Sequence, residues 1–82
     1  MKVFIITSLI ESIDDGAEVN VVGVRKTLNE AQKLMKEVLN EAKEMYEEND
    51  IGYGTDINDD YAIIEQVDGD EKIEYTIFED EI

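Results

Sequence analysis

The chain has 82 residues, enough for one small hydrophobic core and too few for two, so residues 1–82 are expected to form a single domain. An apolar fraction of 43 % argues against wholesale disorder. There is no Cys and no His, which excludes disulfides, thiolate metal sites and the commonest general base, and the net charge is −15, from 22 acidic and 7 basic residues.

Lys2 to Ile10 is rich in β-branched residues and reads as a first strand. Its apolar run is too short, and too soon interrupted by Thr7, Ser8 and Glu11, for a secretory leader, and no stretch reaches the length of a membrane span. The expected setting is therefore the cytoplasm. Val3, Ile5 and Leu9 share one face of this strand, and Phe4, Ile6 and Ile10 the other. A strand apolar on both faces is expected at the centre of a sheet. Asp14-Asp15-Gly16 supplies turn chemistry. Glu18–Val24 reads as the second strand, with Gly23 marking a bulge or a close backbone approach.

From Thr27 to Glu48 the apolar residues Leu28, Ala31, Leu34, Met35, Val38, Leu39, Ala42, Met45 and Tyr46 recur at steps of 3 and 1, one stripe on a long α-helix. Thr27 and Glu30 stand at capping-box spacing, and Asn49 with Gly52 offers a stop. Glu44, Glu47 and Glu48 oppose the helix dipole at its carboxyl end. This end is expected to overhang the sheet, since the helix is about 33 Å long and an eight-residue strand only about 26 Å.

Asn49–Asp59 reads as a polar loop and as the most mobile segment. Asp60–Val67 is expected as the third strand and Glu71–Phe78 as the fourth, joined by a type I′ turn at Asp68-Gly69. The clean alternation of Ile73, Tyr75 and Ile77 with polar residues suggests an edge strand, followed by an acidic tail, Glu79–Ile82. The fold class is thus α+β: ββαββ, a four-stranded antiparallel sheet of order 2-1-3-4 with one long helix on one face. One helix leaves a sheet face open, and Phe4, Ile6, Ile10, Val22, Val24 and Ile64 are expected to include residues of that face. Either a second copy or a partner covers them, or local twist, loop and tail do.

The chemistry available is narrow. The carboxylates lie on turns and strand exteriors, where solvation keeps them ordinary acids, so no enzymatic activity and no cofactor are expected. Asp56, Asn58 and Asp60 match the first oxygen positions of a calcium loop, but Tyr61 stands where that loop needs Gly, and Val67 where it needs Glu. They form only a weak metal candidate beside the simpler reading of a polar turn. Lys33, Lys36 and Lys43 alternate with glutamates on a solvated helix face, and direct nucleic-acid binding would work against the field of the whole molecule.

What remains is the acidity and its distribution. Residues 25–48 are nearly neutral, with five bases and six acids, whereas residues 49–82 carry twelve acids and only Lys72. Asp14, Asp15 and Glu18 cluster on the first hairpin, Asp68, Asp70, Glu71 and Glu74 on the second, and Glu79, Asp80 and Glu81 on the tail. In size, acidity and small α+β build the chain resembles the nucleic-acid-mimic inhibitors of phages and mobile elements, the anti-CRISPR and anti-restriction class. The resemblance rests on composition and carries no motif. It implies a non-enzymatic inhibitor whose carboxylates stand in for phosphates and occupy the basic channel of a nucleic-acid-handling protein. The alternative is a sheet-mediated interaction module or homodimer, in which the acids serve only solubility.

Overall fold

The computed structural model describes residues 1–82 as six elements: β1 (Lys2–Ser12), β2 (Gly16–Arg25), α1 (Leu28–Glu48), β3 (Tyr53–Ile57), β4 (Tyr61–Gln66) and β5 (Glu71–Glu81). The fold is α+β, with one helix packed on an antiparallel sheet of five strands in the order β2-β1-β5-β4-β3. The expected four-stranded sheet of order 2-1-3-4 is corrected in two respects.

The first correction is β3, which lies inside the segment read as a loop. Tyr53, Thr55 and Ile57 alternate with Gly54 and Asp56 and pair with β4, Tyr53 opposite Gln66 and Ile57 opposite Ala62. Gly54 and Asp56 hid the alternation, because a short edge strand buries little and needs little apolar signal. The second correction is the place of β5, which is central. It pairs with β1 along its whole length, from Lys2 opposite Glu81 to Ser12 opposite Glu71, and with β4 on its other side. Its one-sided alternation marks a sheet face left uncovered, and an edge strand would give the same pattern. The acidic residues Glu79, Asp80 and Glu81 are strand rather than tail. Asp68-Gly69 also departs from a type I′ turn: the loop from Val67 to Asp70 has four residues, and Gly16 is the one glycine at positive φ.

The helix begins and ends by named contacts. The Thr27 hydroxyl accepts from the Glu30 amide at 3.1 Å and donates to Glu30 Oε1 at 3.0 Å, satisfying one orphan donor of the first turn. At the other end Asn49 is the C-cap, and Asp50 rather than Gly52 takes the left-handed conformation, with φ of 56°. The amide of Asp50 donates to Glu47 O at 3.2 Å, and that of Ile51 to Tyr46 O at 2.8 Å. This pair of bonds is a Schellman closure, and half-buried Ile51 packs against the core behind it. The last turn does not overhang on its inner side, since Tyr46 is only 1 % exposed. β1 and β5, at eleven residues each, are longer than expected and reach as far as the helix.

The core lies between α1 and one sheet face. Ala31, Met35, Leu39, Ala42 and Tyr46 of the helix meet Ile6, Ala62, Ile64, Ile73, Tyr75 and Ile77 of the sheet. At β2 the helix comes close enough that a Cβ on Gly23 would sit 2.8 Å from Leu34 Cδ2. The β1–β2 register also slips there: Ile6 faces Gly23 and Thr7 faces Val21, so Val22 is the extra residue of a bulge. Both readings of Gly23 therefore meet at one place in the sheet.

Truncating fully buried Ile64 to Ala is expected to cost about 2–5 kcal/mol, read as a lower urea midpoint at unchanged slope. Asp50→Gly is expected to stabilise by about 0.5–1 kcal/mol in the same experiment, because Gly adopts the left-handed C′ position without steric cost.

Candidate interaction surfaces

Antiparallel pairing of β1 with β5 decides where the acidic residues gather. The carboxyl end of β1 lies beside the amino end of β5, so the β1–β2 turn with Asp14 and Asp15 and the β4–β5 loop with Asp68 and Asp70 emerge at the same end of the sheet. Glu71, opposite Ser12, and Glu18, opposite Ile10, stand just inside that end. The helix points its carboxyl end the same way, which adds Glu47, Glu48 and Asp50 and the negative pole of its dipole. Apart from Lys72, opposite Glu11, this end of the sheet is anionic.

The other acids fall elsewhere. Glu79, Asp80 and Glu81 lie at the opposite end, roughly 30 Å away along β5. There they share the surface with Arg25, Lys26 and Lys2, whose Nζ lies 2.8 Å from Glu79 Oε1. Glu74 stands mid-strand on the face away from the helix, between Leu9 and Ile63. The ten acids singled out from the sequence thus divide into one acidic end, one mixed end and a single residue between them.

Two carboxylates of the acidic end accept hydrogen bonds from tyrosines. The Tyr46 hydroxyl donates to Glu71 Oε1 at 2.7 Å. Burial, and then the bond to Glu71 and its negative charge, push the Tyr46 hydroxyl up to about 12. Tyr53 donates to Glu47 Oε1 at 2.5 Å, which raises its ionisation too, and its ring centroid lies 6.0 Å from that of Tyr46. Tyr46 thus holds Glu71 beside the core, and Tyr53 ties exposed Glu47 of the last helical turn to the start of β3.

The apolar residues expected on the open sheet face are placed differently. Ile6 and Ile64 are fully buried beneath the helix, and Phe4, Ile10 and Val22 pack half-buried around the same core. Alternation showed which residues share a face, but not which face the helix takes. The uncovered face carries the other set: Ile5 and Leu9 of β1, Val19, Val21 and Val24 of β2, Ile63 of β4 and Phe78 of β5. Of these, Val19 and Val21 are 66 % and 67 % exposed and Phe78 is 52 % exposed. The i, i+2 spacing of Val19 and Val21 was the available signal. Val24 alone was named for this face correctly, because the bulge at Val22 returns it to the side of Val21.

Asp56, Asn58 and Asp60 lie at the β3–β4 turn, where the Asn58 side-chain amide donates to Asp56 Oδ1 at 3.4 Å. The Asp60 carbonyl accepts from the Ile77 amide. No group of three His, Cys, Asp or Glu side chains is arranged to hold a metal ion. No helix is long and apolar enough to cross a membrane. No family profile, characterised protein or solved structure matches the chain.

Removing the Tyr46 hydroxyl tests its anchoring of Glu71. Tyr46→Phe is expected to cost about 1 kcal/mol at neutral pH by urea denaturation. Because the folded state raises the Tyr46 ionisation above its usual 10.0, this group's contribution is complete below pH 10.0 and is lost as pH climbs through about 12. The fall in stability over that alkaline interval should be shallower in Tyr46→Phe than in the wild type.

Proposed function

We propose that this chain is a non-enzymatic inhibitor that binds a nucleic-acid-handling protein and blocks its positively charged channel, in the manner of anti-CRISPR and anti-restriction mimics. The observation that carries the reading is the convergence of two loops distant in sequence. Asp14 and Asp15 meet Asp68 and Asp70 at one end of the sheet, with the helix carboxyl end beside them. Carboxylates gathered at one end present a dense anionic surface to a basic groove, which attracts it as it attracts a phosphate backbone. The gathering also has a cost, because like charges held together weaken the fold. Two hairpins and a helix terminus all add acids to the same place, with no cation in the last helical turn to offset them.

In this reading the acidic end supplies the main contacts, Glu18, Glu71 and Glu74 extend them along the sheet, and Glu79, Asp80 and Glu81 contribute less because Lys2, Arg25 and Lys26 share their surface. The partner is a cytoplasmic protein of phage defence or nucleic-acid processing. Association is expected to be fast and to weaken steeply with salt.

The test is capture from a bacterial lysate on the immobilised chain, with and without excess double-stranded DNA or guide RNA. Nucleic-acid-binding proteins released by the competitor are the expected result. The fourfold reversal Asp14→Lys, Asp15→Lys, Asp68→Lys and Asp70→Lys should weaken the captured complex at least about 100-fold while raising the urea midpoint, since self-repulsion falls. Reversal of Glu79, Asp80 and Glu81 should weaken it less. Partners that the competitor leaves in place, or that bind the fourfold variant equally well, would overturn the reading.

A further inference from the structure

We infer that β2, one free edge of the sheet, pairs antiparallel with β2 of a second copy and joins the two sheets into one. The two edges of the sheet differ. β3 has five residues and carries Asp56, with Asp59 and Asp60 just beyond it, and a short, charged edge discourages pairing. β2 has ten residues, no Pro and no charge from Val19 to Val24, and no acid occurs between Val19 and Asn29. Its outer amides and carbonyls form a long template for another strand.

The occupant follows from the order of charges along β2. Glu18 stands near its start, after Asp14 and Asp15 of the turn, and Arg25 ends it, before Lys26. Neither base forms an ion pair within its own chain. A strand acidic at one end, apolar in the middle and basic at the other complements itself when antiparallel. A two-fold axis through Val21, perpendicular to the sheet, sets Val21 opposite Val21 of the other copy. The bulge at Val22 then puts Val19 opposite Val24 and Glu18 opposite Arg25. The faces agree at each pair: the valines lie on the uncovered face, and Glu18 and Arg25, which oppose Ile10 and Phe4 of β1, lie on the helix side. Among registers that keep the faces matched, this one sets valine against valine at Val19, Val21 and Val24 and carboxylate against guanidinium at both ends. It also leaves the β3 edges, with their aspartates, on the two outer rims.

The chain has no Cys, so a single introduced one reports contact between copies alone. Directly opposed residues of an antiparallel pair have Cα atoms about 4.5–5.5 Å apart, within disulfide range. Val21, Thr55 on the β3 edge and Phe78 on the uncovered face are all exposed. In a glutathione redox buffer, Val21→Cys is expected to form a covalent dimer at least about tenfold faster than Thr55→Cys or Phe78→Cys. Sedimentation equilibrium of the unmodified chain, from about 10 μM to about 1 mM, should show a reversible dimer of twice the 9.4 kDa chain mass. Glu18→Lys should weaken that dimer at least about fivefold although it lowers the net negative charge, and adding Arg25→Glu should restore it. Far-ultraviolet circular dichroism verifies that each variant is folded, and the cysteine comparison reads the pairing without touching Arg25. A monomer at every concentration would overturn the proposal. So would cross-linking of Val21→Cys no faster than that of Thr55→Cys or Phe78→Cys, or a dimer that Glu18→Lys leaves unchanged or strengthens.

Discussion

The pairing of β1 with β5 is the constraint on which the rest depends. It joins Lys2–Ser12 to Glu71–Glu81 along eleven residues of each, so the middle of the sheet is made from two segments far apart in sequence. Every other strand is attached to this pair: β2 to the free side of β1, β4 to the free side of β5, and β3 outside β4. The helix can cross only one face of a sheet whose centre is closed in this way, and the connection from Arg25 to Leu28 commits it to the face of Ile6 and Ile77. Such pairing is far apart in sequence, and its loop-closure entropy must be met before the contact stabilises anything. The local elements, α1 and the β1–β2 hairpin, therefore have to form with little help from it.

The same pairing organises the charge. Two acidic loops separated by about two-thirds of the chain come to one end because β1 and β5 run in opposite directions. The helix, returning from β2, adds its carboxyl end and three more acids to that place. Tyr46 holds half-buried Glu71 beside the core and replaces part of the solvation that this carboxylate loses, and Tyr53 ties exposed Glu47 to the start of β3. At the opposite end the bases of the amino terminus and of the segment leading into the helix dilute the acids, and Lys2 pairs with Glu79. The molecule has an electrostatic long axis, acidic at one end and mixed at the other.

The two faces of the sheet show how far alternation carries. Val3, Ile5 and Leu9 against Phe4, Ile6 and Ile10 was legible as two apolar faces, and so was the consequence that one would stay uncovered by a single helix. That Ile6 and Ile64 lie beneath the helix and not on the open face was not recoverable from the pattern, because period-two alternation is symmetric between faces. The bulge at Val22 added a second ambiguity, since one extra residue reverses the facing of everything beyond it in β2. β3 escaped notice for a related reason. An edge strand five residues long, exposed along most of its length, is defined more by its partner than by its own residues.

The residues themselves determined the local structure: the helix from its apolar spacing and the Thr27–Glu30 cap, four of the strands from β-branched runs, the first turn from Asp14-Asp15-Gly16, and the acidity of both hairpins. These features depend on neighbours within a few positions, whose contacts the chain order specifies. The tertiary structure alone decided that β5 is central, that Asp50 closes the helix, that Ile6 and Ile64 lie beneath it, and that Asp14 and Asp15 stand beside Asp68 and Asp70. Those outcomes arise from strand pairing at long sequence separation. There the competing registers differ by the burial of whole faces, a quantity that belongs to the assembled sheet and to no single stretch of it.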